Sequence, residues 1–595
     1  LLIILKPASP MDGTMVKPKR PIKELSGLLE TLDGKSFEDY RKLLNQSFYH
    51  DRYHIRFVHI QGSSGAFPAS LCHLTVQSDE LGIDELFTAN GVRANATADY
   101  LLRAFAGAVT AHARQNRGAH GSGSYQPLIL PPQVLPRNLV RFGSAGVRIA
   151  FHVSLPGSHD HRILGRQAAL MFGRELDDIV CFLKTSTIPN ERLLNHCDVV
   201  EDMAVLQNQL MHYNLVAFIG DGAILPRRSG VSQAPLKKGA VAFKAPDSMA
   251  VEVDLPHVGR VRGLGIPWGV TVLIGGAFHG KSTLLDALAK GVYPHIPSDG
   301  RQCVAAHPDT AFICAEEGRA VNGVDISGFI DNLPGGVNAK AFKTQNASGS
   351  TSEAASITEA VQAGAKFLLL DEDSSATNFL IKDSVMRRLI PEDPITPFFD
   401  RVRELYRRWG VSTLIVVGGS SEYLGVADQV MAMRNYRPVS MTGQVRRMTL
   451  PGSTEPHRSM AMQDRRRVVA DNFDPAYHSR RLGKSIAVRI KPLRLQDKVL
   501  EYGDQQLDLT RLEALVDPHQ VTAIGYALLL ARNRLGHACL SPSDLAGALD
   551  ELIEKEGLDI LQSREHPPAA MARPRRLELA AAINRLRNLR VDIFD

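Results

Sequence analysis

Val270-Thr-Val-Leu-Ile-Gly275-Gly276-Ala277-Phe278-His279-Gly280-Lys281-Ser282-Thr283 is the stretch on which the reading of this chain turns. It opens with a short apolar run that reads as a buried strand. It then gives the complete G-x-x-x-x-G-K-[ST] pattern, and Thr283-Leu-Leu-Asp begins a helix. Strand, glycine loop and helix are the context this pattern requires. Gly275, Gly276 and Gly280 let the backbone curl until successive N–H groups face an anion. The helix N-terminus adds partial positive charge. Lys281 is expected to reach the outer phosphates, and the Ser282 hydroxyl to ligate magnesium. Residues 275–283 are therefore the expected nucleotide-binding set, with ATP and Mg2+ as cofactors. Gly34-Lys-Ser and Gly483-Lys-Ser also contain the tripeptide. Leu29 and His478 stand where their loops would need the first glycine, so both read as chance matches.

A magnesium nucleotide site also needs an acid where a neighbouring strand ends. Phe367-Leu-Leu-Leu-Asp371-Glu372 supplies it, about ninety residues after the loop. Its apolar composition reads as a fully buried strand. Asp371 is expected to hold magnesium, and Glu372 to polarise the attacking water as general base. The expected activity is ATP hydrolysis, with Lys281 and Glu372 as the catalytic residues.

Upstream of that strand lies Asn346-Ala-Ser348-Gly349-Ser350-Thr-Ser-Glu353, followed by an Ala-, Ile- and Val-rich helical stretch. Ala347 to Thr351 resembles the Leu-Ser-Gly-Gly-Gln signature of ABC ATPases, and 23 residues separate Ser348 from Asp371. Ser348 also reads as a helix N-cap, which itself exposes N–H groups. Beyond the acidic strand, Ser375, Ala376, Thr377 and Asn378 resemble an ABC D-loop. The likeness extends to Asp33-Gly-Lys-Ser-Phe-Glu-Asp-Tyr, His59-Ile-Gln-Gly, Leu225-Pro-Arg-Arg-Ser-Gly-Val-Ser, Gly323-Val-Asp-Ile-Ser, Val516-Asp-Pro-His-Gln and Ala572-Arg-Pro-Arg-Arg. Over nearly its whole length the chain resembles the family called "predicted ATPase of the ABC class". Within it, the chain resembles the trypanosome member, a subunit of a mitochondrial RNA-binding complex tied to RNA editing. That resemblance implies a homodimer, RNA as partner, protein complex subunits as further partners, and the mitochondrial matrix; the alternative location is cytoplasmic. It also implies that Ser348, Gly349 and Ser350 meet the nucleotide held by a second copy.

Two departures from the transporter-type ABC pattern stand out. After Ala311-Phe-Ile-Cys314 come Glu316, Glu317, Gly318 and Arg319 where a glutamine is usual. Glu317 is therefore expected on the magnesium side. The switch histidine is replaced by Ile415-Val-Val-Gly418-Gly419-Ser420-Ser421. A serine hydroxyl can hydrogen-bond a phosphate or water but does not titrate near neutrality. Slow turnover is the expectation, with Gly419 and Ser420 at that corner.

The 595 residues exceed a single core, and 44% apolar with 22% charged is ordinary for a soluble globular protein. No apolar run approaches the roughly 20 residues a bilayer-spanning helix needs. That counts against an integral membrane transporter and leaves a separate membrane partner open. Cys72, Cys181, Cys197, Cys303, Cys314 and Cys539 are scattered without a C-x-x-C pair, which fits a reducing compartment. The first residue is leucine, read as a trimmed start, so a targeting signal is neither seen nor denied.

Net charge is +6, yet residues 446–498 hold thirteen Lys/Arg against five Asp/Glu. Arg465, Arg466, Arg467, Arg480 and Arg481 are candidate RNA contacts; a solvated charged loop is the alternative. On the strand-like run 54–60, His54, Arg56 and His59 interleave with aromatics. Arg56 is a further RNA candidate, against the plainer reading of an amphipathic strand with core aromatics.

The expected organisation is a flexible arm (1–24), an α+β domain (25–215), an α/β ATPase core of ABC type (216–447), and a basic linker with a mostly helical domain (448–595). The core strands are read at 216–219, 270–274, 311–314, 367–370 and 413–417. In the last part, Ser543 is expected to cap a helix that Gly557 closes. A final helix is expected over 575–590, with Arg573, Arg576, Arg587 and Arg590 grouped on one face.

Overall fold

The structure is a computed structural model that describes residues 20–62, 69–382, 389–390, 392–448, 460–469, 474–475, 490–492, 498–535, 539–562 and 569–594. Two compact units are distinguished. One holds the described residues up to 86 with 100–129 and 139–192; the other holds 87–99, 130–138 and the described residues from 193 on.

The first unit is built on an antiparallel sheet whose long strands are Tyr53–His59, Ser70–Val76 and Gly146–Ser154. Period-two alternation drives it. Tyr53, Ile55 and Phe57 are buried while His54 and Arg56 stay half-exposed.

The second unit carries the site. Its main sheet uses β1 (Val270–Ile274), β2 (Thr310–Ile313), β3 (Phe367–Asp371), β4 (Ser412–Val417), β5 (Gln429–Arg434) and β6 (Arg437–Ser440). Strand order is β2-β3-β4-β1-β5-β6; all neighbours are parallel except the β5–β6 hairpin. Helix α1 (Lys281–Lys290) follows β1, and α2 (Gly349–Gln362) precedes β3. Strands covered on both faces must be apolar throughout, and β3 and β4 are buried at every residue. Leu368 and Leu370 face one core cluster, while Phe367 and Leu369 face a second with Leu284 and Leu288 of α1. Loop, acids and switch corner all leave the carboxyl ends of these parallel strands, where open α/β sheets place ligands.

The strand read at 216–219 exists, as Leu215–Gly220, but outside this sheet. It pairs antiparallel with Gly259–Pro267 and Val304–Ala306 in a separate four-stranded sheet. A short apolar run fits either environment, so periodicity does not separate them.

Residues beyond the core form helices Pro518–Leu530, Pro542–Glu556 and Arg576–Asn584. They share one apolar cluster with the main sheet: Val521, Ile524, Leu549 and Ile583 belong with Val270 and Leu368. The C-terminal helices therefore lie in the same unit as the core, and helix Glu191–Gln209 enters that unit at residue 193, well before 216. Ser541, not Ser543, caps the second helix, because Pro542 fixes its first turn. The last helix ends at Asn584. Arg587 and Arg590 lie beyond it, so the expected four-arginine face is not formed. Among the described residues no helix is long and apolar enough to cross a membrane.

Candidate nucleotide site

The loop between β1 and α1 needs its glycines for steric reasons. Gly275 has φ 147°, and a Cβ there would stand 2.7 Å from Met433 O. Gly280, at φ 94°, is the residue preceding α1. His279 Nδ1 lies 3.1 Å from Met433 O, which ties the loop to β5. Ala277 and Phe278 are exposed at the tip, Phe278 with φ 62°. The Lys281 ammonium donates to Gly275 O at 2.7 Å and Gly276 O at 3.0 Å. It thus sits across the mouth that the first N–H groups of α1 face. Thr283 is half-buried in that first turn.

Ser282 Oγ donates to Asp371 Oδ2 at 2.9 Å, joining loop and acidic strand. A hydroxyl beside a carboxylate is an all-oxygen donor set, which suits Mg2+. Glu372 stands one residue further on. Its Oε2 accepts the backbone N–H of Gly418, and that of Gly419 at 3.2 Å. A Cβ at either glycine would come within 3.6 Å of that carboxylate. The corner that lacks histidine thus holds Glu372 by main-chain donors. Ser420 Oγ is used otherwise: it accepts from Glu422 N at 3.3 Å.

Ser348 is the N-cap of α2 and is exposed, its side chain accepting from Thr351 N. Gly349 and Ser350 are buried. Ser350 Oγ donates to Asn378 Oδ1 at 2.8 Å. Ala376 N donates to Glu353 Oε2 at 2.8 Å. Two bonds therefore fasten the signature helix to residues 375–378, where Ser375 N bonds Glu372 O and Thr377 starts a single helical turn. Glu353 escaped the sequence reading. Burial pushes its carboxyl up to about 7, against the pull of the Ala376 N–H. The signal was a glutamate on the buried side of an apolar helix.

Glu317 stands on the signature side, its Oε1 3.6 Å from the Cβ position of Gly349. The contact with Ser282 belongs to Asp371. Glu316 is committed elsewhere. Both its oxygens take a bidentate grip from Arg585, with Nε to Oε2 at 3.0 Å. Burial raises the Glu316 carboxyl, but Arg585 outweighs it and the net shift is downward. Arg587 donates to Gly318 O at 3.1 Å and Gln345 O at 2.9 Å. Glu316 N donates to Ser352 Oγ of α2 at 2.9 Å. The acidic loop 316–319 is thus held between the signature helix and the C-terminal segment.

The RNA candidates divide. Arg466 is not a ligand contact: it is buried and saturated by Asp464, Asn584 Oδ1 (2.7 Å) and Gln362 Oε1 (3.1 Å), so it presents no charge to a ligand. Arg465 is exposed, and Arg467 is half-exposed with its guanidinium on Arg466 O. Arg480 and Arg481 lie outside the described residues. Arg56 shares a half-exposed sheet face with His54, and Tyr49 stacks on His54 at 4.9 Å. His73, opposite Arg56 in register, is pushed down to about 3 by burial and by Arg148 and Arg56.

Similar proteins are known. The chain is matched over residues 22–182 by the family model for the N-terminal domain of ATPases of the ABC class. Residues 189–467 match the ABC ATPase P-loop domain, and 494–592 the MRB1590 C-terminal domain. The uncharacterized protein MJ1628 of Methanocaldococcus jannaschii is 26% identical over 270 residues, which is 44% of this chain and 59% of that protein. The chain thus spans under two thirds of that relative's length. Among solved structures, MJ1267, an ATP-binding cassette of an ABC transporter in its ADP conformation, aligns with 11% identity and TM-score 0.23, covering 38% of this chain and 92% of that one. CbiO1 from Clostridium perfringens, part of the ABC transporter complex CbiONQ, aligns with 14% identity and TM-score 0.24, covering 39% and 90%. With N-terminal, P-loop and C-terminal models matched in chain order around the strand-loop-helix site, the protein belongs to the ABC-class ATPase family.

Proposed function

We propose that this protein is a homodimeric ATPase that clasps Mg2+-ATP between two copies and couples closing and opening to the binding and release or remodelling of RNA. Residues 275–283 of one copy bind the phosphates, and Ser282 and Asp371 hold magnesium. Ser348, Gly349 and Ser350 of the other copy complete the site. The carrying observation is Ser348, exposed at the N-terminus of α2. Ser282 and Asp371 touch each other, whereas Ser348 and Ser350 spend their hydrogen bonds on Thr351 and Asn378. An exposed N-cap serine with buried neighbours can offer its N–H and hydroxyl groups to a second molecule's nucleotide. ATP then favours the closed pair only through its greater affinity for it, and loss of the γ-phosphate reopens it.

Glu372 is the general base. Two main-chain N–H groups orient it, and neither donor titrates. Turnover is slow because the corner that carries a histidine in transporter-type ABC proteins holds glycines and serines here, and none of these titrates near neutrality. The same observation favours one second reading, an RNA-binding scaffold with structural ATP and negligible turnover. Steady-state phosphate release separates the two. An active wild type and a dead Glu372→Gln support the enzyme; equal traces near zero support the scaffold.

RNA as partner, within a protein complex of mitochondrial RNA processing or editing, draws on the match to the MRB1590 C-terminal domain and on the basic stretch 446–498. The matrix is the location this reading implies, with the cytoplasm as the alternative. A filter-binding titration tests the ligand. Affinity that falls steeply with salt supports phosphate contacts, and a flat profile points to a protein partner instead.

A further inference from the structure

Between the strand Phe342–Thr344 and α2 runs a short connector, 345–348, that ends on Ser348. Gln345, Asn346 and Ser348 are exposed, and Ala347 alone is buried. A connector so short and open supplies little packing of its own. Its one buried residue is paired with the acidic loop: Ala347 N donates to Arg319 O at 3.0 Å, and Gly318 N to Ala347 O at 2.9 Å. A further hold comes from far along the chain. Arg587 uses its two terminal guanidinium nitrogens to donate to Gln345 O at 2.9 Å and Gly318 O at 3.1 Å. Gln345 Nε2 returns the bond, donating to Arg587 O at 2.9 Å. The planar fork of a guanidinium can span two carbonyls at a fixed spacing, which the compact ammonium of lysine cannot.

Arg587 is itself exposed, but its backbone is anchored. Leu586 and Leu589 beside it are 1% and 2% exposed and belong to the core cluster that includes the main sheet. Asn322 Nδ2 donates to Leu586 O at 3.1 Å. Packed backbone thus carries the guanidinium to a connector that lacks packing. We infer that Arg587 is a positioning residue for the signature: it holds residues 345–348 in the conformation that presents Ser348 to the nucleotide of a second copy. The role rests on the reading of a triphosphate shared by two copies, and it names the residue through which the C-terminal segment acts on that site. Without this bridge the connector samples more conformations, and closure of the pair must then order it. Ordering the backbone of one residue is equivalent to about 10-fold in an equilibrium constant. Nucleotide binding by a lone copy does not use Ser348 and carries none of that cost.

The test uses the full chain carrying Glu372→Gln. Sedimentation with Mg2+-ATP reads pair formation, and calorimetry with Mg2+-ADP, which lacks the γ-phosphate, reads binding by the lone copy. Adding Arg587→Ala weakens the pair by about 10-fold or more, while Mg2+-ADP affinity and the urea midpoint stay unchanged. Arg587→Lys behaves like Arg587→Ala, because charge without the fork does not span both carbonyls. Gln345→Ala removes only the returned bond and weakens the pair less, in the same sense. An unchanged pair in Arg587→Ala, full recovery in Arg587→Lys, or equal weakening of the pair and of Mg2+-ADP binding overturns the positioning role and leaves the two-copy reading standing. A Glu372→Gln chain that binds Mg2+-ATP and never pairs overturns both.

Discussion

Replacing Glu353 by glutamine should make the protein less sensitive to alkaline pH. Glu353 is fully buried in α2, and its Oε2 takes the Ala376 N–H. Burial lifts its carboxyl from 4.5 to about 7. Between those values the folded chain keeps a proton that the unfolded chain releases, so stability falls as pH rises through this window. Below about 4.5 both states are protonated; above about 7 the full cost of a buried anion is present. At ~1.4 kcal/mol per pH unit the gap is worth ~3 kcal/mol, and from pH 5 to pH 8 it amounts to ~2–3 kcal/mol. Glutamine keeps an acceptor for Ala376 N and removes the ionisation. Any cost of pairing its extra N–H groups is the same at both pH values and cancels. Urea denaturation of wild type and Glu353→Gln at pH 5 and pH 8 gives the double difference. Wild type should lose ~2–3 kcal/mol relative to the variant on going to pH 8. A double difference near zero, or of opposite sign, would refute the buried-acid reading of this helix.

Arg585→Ala leaves Glu316 buried without its cation and should cost ~3–5 kcal/mol, read as a lowered urea midpoint; Glu316→Gln combined with Arg585→Met should recover most of it. A loss under ~1 kcal/mol in the single variant would show the clamp on the acidic loop to be slack. Asp517 is the N-cap of helix Pro518–Leu530 and pairs with buried Arg137 at 2.6 Å. Burial raises its carboxyl, but Arg137 and His519 outweigh that and hold it well below the usual range. Its stabilisation is therefore complete at neutrality and disappears only as pH falls through that depressed value. Asp517→Asn keeps the cap but not the charge, and should lose ~3–5 kcal/mol at pH 7 with little salt dependence. A loss that vanishes in high salt would mean the pair is solvated.

What the sequence revealed followed from how local each signal was. The phosphate loop could be read because strand, glycines and helix are contiguous, and the structure puts Ser282 against Asp371. Ser348 was legible as an N-cap for the same reason. The hold on Glu372 was not, because backbone N–H groups carry no residue identity; Gly418 and Gly419 registered only as a missing histidine. Arg466 looked like surface charge because its neighbours are arginines, yet its partners Gln362 and Asn584 are distant in sequence. The Arg585–Glu316 pair spans 269 positions, beyond any periodicity. The strand Leu215–Gly220 was found but assigned to the wrong sheet, since apolar composition reports burial and not partner.

The central claim, a triphosphate shared by two copies, is tested most directly by sedimentation of Glu372→Gln with and without Mg2+-ATP. With nucleotide, the variant should sediment at twice the 65.1 kDa chain mass, and adding Ser348→Arg should return it to monomer with ATP still bound. A Glu372→Gln chain that binds ATP and remains monomeric at every concentration would contradict the account.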